Sequence, residues 1–232
     1  MRSRLDIADE HGATLIELVV AMAAGMVVLF ALTMMIIVTM NSTARVSARV
    51  DATRNARLTV TQITEQLRSS CVAPRIAPVR AGSTGTSLLF IHQRGSEVVL
   101  DPVLSKIELI GGTLTQYDYA KTGGAMPDWS FALTPTSQRQ LATGIGPIAP
   151  SNAVFTYLGY SGKAINLALP ATTAAPLSST DAARTVAVRV AFNAAPRSGA
   201  VADAGAASQV QDTALLRLTS LAFSKESDEP CL

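Results

Sequence analysis

One carboxylate in this chain stands where it needs a partner. Glu17 directly precedes Leu18–Met40, a run of 23 residues without a charged side chain. Driving a carboxylate into hydrocarbon costs on the order of 2–3 kcal/mol, so an acid at the edge of a membrane-length apolar run calls for a cationic neighbour. The preceding residues, Gly12-Ala13-Thr14-Leu15-Ile16, suggest one. Cutting the chain between Gly12 and Ala13 would give Ala13 a new α-amino group, four residues before Glu17. The glutamate of one copy could then neutralise the amino terminus of the next. The implied chemistry is peptide-bond hydrolysis by another protein, followed by carboxylate–ammonium pairing between subunits.

Other candidate chemistry is sparse. The two histidines are His11 and His92. A metal site built on histidine is not expected, and no close cysteine pair supplies one. Asp101, Asp118 and Asp128 are too scattered for a calcium loop of the EF-hand type, although an irregular calcium loop would leave no mark in a sequence. Gly159-Tyr160-Ser161-Gly162 lacks the spacing of a nucleophile elbow. Ser161-Gly162-Lys163-Ala164 lacks both the upstream glycine and the following hydroxyl of a phosphate-binding loop. Trp129, with Tyr117 and Tyr119, reads either as a sugar-stacking surface or, more ordinarily, as packing. The net charge of +2 gives no case for nucleic acid. Neither catalysis nor a cofactor is expected. Cys71 and Cys231 are the two cysteines. In an exported protein such a pair reads as a candidate disulfide, here closing nearly the whole C-terminal domain.

The segment Gly12, Ala13, Thr14-Leu15-Ile16-Glu17-Leu18 and the apolar run after it resemble the processing site of type IV prepilins and type II secretion pseudopilins. The resemblance covers about the first forty residues. It departs at Ala13, where that family most often has Phe. It implies a leader over residues 1–12, cleavage between Gly12 and Ala13 by a prepilin peptidase, and N-methylation of Ala13. It also implies assembly through Glu17 with other pilins or pseudopilins on an inner-membrane platform. The leader would be cytoplasmic and the body extracytoplasmic, first as a single-pass membrane protein and then in a cell-surface or periplasmic filament. A bare count of basic residues argues the reverse, because Arg45, Arg49, Arg54 and Arg57 outnumber Arg2 and Arg4. The processing motif is more specific than the count. The plainer alternative is a signal anchor with an incidental glutamate.

The elements that must position these residues follow from periodicity. Val46, Val50, Ala56, Val60, Ile63 and Leu67 recur at helical steps, and no Pro or Gly interrupts residues 27–70. This predicts one helix from about Thr14 to Ser69, membrane-spanning and filament-forming over 13–40 and amphipathic over 41–70. Pro74 and Pro78 then end helical structure. Residues 71–232 read as an extracytoplasmic β-rich domain. Strands are expected at Ser87–Ile91, Glu97–Leu100, Lys106–Ile110, Thr113–Tyr117, Val154–Leu158, Thr185–Phe192 and Ala214–Phe223, the last two the longest. Gly111-Gly112 is the turn of a hairpin. Ala120–Asn152, Ser161–Arg184 and Ala195–Gln211 read as loops. The expected fold is α+β and pilin-like, a long N-terminal helix packed on an antiparallel sheet. The order Phe155-x-Tyr157, then a Val-rich strand, then a final strand further resembles the large minor pilins and pseudopilins of the J or W type. The expected function is a minor structural filament subunit. The alternative is an adhesin displayed at the filament tip.

Overall fold

The computed structural model describes residues 14–70, 76–94, 101–124, 128–172, 175–196 and 207–216. Helix α1, Leu15–Arg68, contains 54 residues. By its contacts the chain divides into two compact units, 1–46 and 47–232. In the first unit the described helical residues have no burial to explain. Every one is exposed, including Phe30 at 65% and Met35 at 70%.

In the second unit helix and strands share one core. Ala56, Val60, Ile63 and Leu67 of α1 are buried. They belong to the same apolar cluster as Leu88, Phe90, Ile107, Leu114, Phe155, Tyr157, Val190 and Phe192. The stripe differs from the sequence expectation at its start. Val46 and Val50 are 60% and 59% exposed, while Ala52, Thr59 and Thr64 are buried. Small and hydroxylated residues fit the close helix–sheet contact there. Thr59 and Thr64 return their hydroxyl protons to carbonyls of their own helix, at Asn55 and Thr61, so burial leaves neither unsatisfied.

A four-stranded antiparallel sheet has the order β1 (Ser87–Arg94), β2 (Asp101–Ile110), β3 (Thr113–Tyr119) and β6 (Ser137–Thr143). The β2–β3 hairpin turns at Gly111-Gly112, as expected. Both glycines have positive φ, 55° and 76°, which a two-residue hairpin turn requires and other residues resist. A second antiparallel sheet has the order β11 (Ser208–Leu215), β10 (Ala187–Ala194), β8 (Phe155–Ser161) and β9 (Ala164–Ala168), with β7 (Ile145–Gly146) also pairing β10. β4 (Lys121–Gly123) and β5 (Ser130–Phe131) form a small ribbon. The short helix α2, Ser179–Arg184, is capped by Ser178, whose hydroxyl oxygen accepts from the Asp181 backbone N–H.

Several expectations need correction. Ala120–Asn152 is not loop throughout, since it carries β4 to β7. β6 is polar and exposed from Ser137 to Gln140 because it is an edge strand, which removes the apolar alternation that would betray it. Ser161–Arg184 likewise contains β9 and α2. The final strand begins at Ser208, inside the segment read as a loop, and is followed here to Leu215. Its first residues are Ser, Gln, Val and Gln, again polar because the strand is at an edge. β2, at ten residues, is longer than β10, at eight, and most of the expected strand Ala214–Phe223 lies outside the described residues. β2 includes Pro102, tolerated one residue into the strand. The expected strand Glu97–Leu100 lies outside the described residues.

Candidate functional site

The helix start at Glu17 is set by Thr14. The Glu17 backbone N–H donates to the Thr14 carbonyl at 2.9 Å and lies 3.4 Å from Thr14 Oγ1, and Leu18 N–H donates to the same carbonyl at 3.2 Å. Thr14 is thus the N-cap, and Glu17 is the third helical residue. Thr-x-x-Glu is the composition of a capping box, a signal legible in the sequence that the reading above did not use. A carboxylate in the first turn also faces the positive end of the helix dipole. Glu17 is exposed, between Ile16 at 72% and Leu18 at 56%. Gly12, Ala13, Cys71 and Cys231 lie outside the described residues.

The helix that follows is long and strongly apolar. Among the described residues it is the one helix long and apolar enough to cross a membrane. Its few polar side chains are satisfied locally. The hydroxyls of Thr33, Thr39 and Thr43 donate to the carbonyls of Leu29, Met35 and Thr39 at 2.8–2.9 Å. No backbone group in a helix interior seeks an outside partner, so hydrocarbon is tolerated all round.

Sequence reasoning missed a buried polar network under the second half of α1. Ser105 Oγ donates to Asp118 Oδ1 at 2.6 Å, and His92 Nε2 lies 2.8 Å from Ser105 Oγ. Because the serine proton is directed at Asp118, the histidine nitrogen donates to the serine oxygen. Gln116 Nε2 and Ser137 Oγ also donate to the Asp118 carboxylate, at 2.8 and 2.9 Å. Arg139 Nη2 donates to Gln116 Oε1 at 2.9 Å, and both Nη atoms reach the Gln62 side-chain oxygen, at 2.7 and 2.8 Å, in the orientation its surroundings require. Gln66 of α1 joins at Gln116 Oε1.

The residue types are those of a hydrolytic triad, but the proton order is wrong for one. A nucleophilic serine gives its proton to histidine, with the carboxylate on the far ring nitrogen. Here the serine is bound directly to the carboxylate and is fully buried. The network instead ties α1 to β1, β2, β3 and β6. Period-two alternation puts His92 on a strand face with Leu88 and Phe90, and Asp118 with Gln116, but only the register of the paired strands brings them together.

The candidate Trp129 and the strand residue Tyr157 are both engaged in packing. Trp129 is half-buried against the Ile76–Ile91 cluster with Leu104 and Phe131, and the Lys121 ammonium sits 5.8 Å from its ring centroid. Tyr157 is fully buried, and its hydroxyl donates toward the carbonyls of Thr84 and Ser87. Burial pushes its ionisation well above the ordinary tyrosine value of 10, with a smaller opposing effect from Ser83. It stays neutral at physiological pH and is not a proton carrier. Among the described residues no three His, Cys, Asp or Glu side chains converge as metal ligands. No family model, no curated protein and no solved structure matches the chain.

Proposed function

We propose that this chain is a minor structural subunit of a type IV pilus-like or type II secretion pseudopilus-like filament. It enters the cytoplasmic membrane, loses residues 1–12 to a prepilin peptidase, is methylated on Ala13, and passes from bilayer to filament through α1. The observation that carries this reading is the junction of one acidic residue with a bare apolar helix. Thr14 starts the helix, Glu17 lies in its first turn, and each apolar residue from Leu18 to Met40 is exposed. A soluble protein would bury such a surface. The downstream half of the same helix, packed under antiparallel sheets, agrees with a pilin-like body.

Leaving the bilayer removes lipid contacts, and tight helix packing must replace them. Ala21, Ala23, Ala24 and Gly25 permit close approach. Glu17 supplies the register, because an unpaired carboxylate in a poorly hydrated bundle is costly and the Ala13 ammonium of a neighbour relieves it. The capping geometry is compatible with this role, since the backbone N–H holds the residue in place while its carboxylate faces outward.

Intact mass tests the first step. Chain isolated from a peptidase-positive host should lack residues 1–12, and Gly12→Val should remain full length in the membrane. Retention of Met1 by the wild-type chain in that host would refute processing.

A further inference from the structure

The sheet built on β8, β10 and β11 has two unlike faces. Along β10, Val188, Val190 and Phe192 are buried in the main core, so period-two alternation puts Arg189, Ala191 and Asn193 on the opposite face. The register places Thr156 of β8 and Thr213 of β11 directly across from Arg189. Their neighbours Phe155, Tyr157 and Ala214 belong to the core, so both threonines share the face of Arg189. Residues directly opposite have Cβ atoms about 4.5–5.5 Å apart. Thr156, Arg189 and Thr213 therefore form one row across three strands, and all are half-buried. The rows on either side, Leu158–Ala187–Leu215 and Ala191–Gln211, carry no charge. The acid of β11, Asp212, pairs Val190 and so alternates to the other face.

None of the three side chains has a hydrogen bond or ion pair within the chain. Among the described residues four sealed side-chain atoms lack a hydrogen bond, and Arg189 Nε is the one on a charged group. A merely solvated arginine shares every N–H with water. Here water does not reach Nε, while the two Nη atoms, also unpaired, keep accessible surface. The guanidinium is thus packed against its surroundings with the fork of its Nη atoms open. A threonine hydroxyl stands on either side as a further donor. We propose that the Thr156–Arg189–Thr213 row is a binding site for an oxyanion group, a carboxylate or a phosphate. The two Nη atoms donate to two of its oxygens, as in bidentate arginine pairs, and the threonine hydroxyls donate to the lone pairs that remain. The small Ala191, next on that face of β10, leaves room for the group to approach. The site stands whether or not the chain enters a filament.

Arginine and amide resonances of isotopically labelled full-length chain in detergent micelles provide the test. Acetate, inorganic phosphate and a short end-blocked peptide bearing one glutamate are titrated separately, with chloride holding ionic strength constant. Saturable shifts are expected at the Arg189 Nε–H and at the Thr156 and Thr213 amides. Arg189→Gln, read at the two threonine amides, should weaken binding at least about tenfold through loss of charge-assisted hydrogen bonds. Arg189→Lys keeps the charge without the fork and should weaken it about threefold or more. Thr156→Val with Thr213→Val keeps shape and β-branching, and should weaken binding about three- to tenfold with Arg189 still present. If Arg189→Gln fails to fold, the lysine and valine variants carry the comparison. A response confined to acetate and phosphate assigns a free anion, one that favours the peptide assigns an acidic side chain, and either sustains the site. No saturable shift with any probe, or equal binding by wild type and the variants, would overturn it.

Discussion

Tyr157 and Glu17 illustrate two ways a protein places a polar group beside an apolar surface. Tyr157 is taken into the core and its hydroxyl meets two carbonyls, of Thr84 and Ser87. In the unfolded chain the phenol titrates near its ordinary value of 10. In the folded chain burial raises that value, so the neutral form is held. The stability this contributes is fully present below about pH 10. It is lost as pH rises further, because the unfolded state ionises first. Denaturant unfolding of wild type should therefore show a fall in stability between pH 9 and pH 11 that is smaller in Tyr157→Phe. The variant should be less stable at pH 7 by about 1 kcal/mol, as the hydroxyl hydrogen bond is lost while the Thr84 and Ser87 carbonyls each keep a backbone N–H donor. Equal alkaline losses in the two proteins would contradict this account. Glu17 is handled differently. It stays exposed at a helix start, and in the proposed reading its cation comes from a neighbouring subunit. Its position was legible because a lone acid against 23 uncharged residues is conspicuous. The Ser105–Asp118–His92 network was not, because its members come from three strands and are adjacent only after pairing sets the register.

Among the elements, legibility tracks burial pattern. α1 was readable end to end because no Pro or Gly breaks its second half and its apolar residues repeat at helical steps. The β2–β3 hairpin was readable because both central positions of its turn have positive φ, which glycine adopts freely and most residues resist. β6, β9 and the first part of β11 were missed because their exposed faces are polar or alanine-rich, and hydrogen bonding to one neighbour needs no apolar side chain. The same logic separates two positions on α1 that look alike in sequence. Ile63 is fully buried in the core it shares with both sheets, whereas Val50 is exposed. Ile63→Ala should cost about 2–5 kcal/mol, through lost burial and the cavity left behind. Val50→Ala should change stability by no more than about 0.5 kcal/mol. Urea unfolding of the two variants measures the contrast, and similar losses would show that the helix is not anchored along the face described.

For the molecule as a whole, sequence alone identified an apolar helix attached to an α+β body, and the structure agrees on both. The pilin-like reading adds direction, namely which side of the membrane the body occupies. Arg45, Arg49, Arg54 and Arg57 argue by number for a cytoplasmic body, and the processing motif argues against it. A reporter active only outside the cytoplasm, fused after Leu232, should be active. Activity of a cytoplasm-only reporter at that position would show that the arginines determine orientation. The central claim is that Glu17 guides the chain from membrane to filament by pairing with a neighbouring amino terminus. Its most direct test compares wild type, Glu17→Gln and Glu17→Ala for co-purification with sheared filaments, each normalised to its abundance in the membrane. The account predicts normal insertion and cleavage for all three, and filament incorporation at least tenfold lower for both variants, since glutamine keeps size and hydrogen bonding but not charge. Equal incorporation of wild type, Gln and Ala would contradict it and leave Glu17 as no more than a helix-start residue.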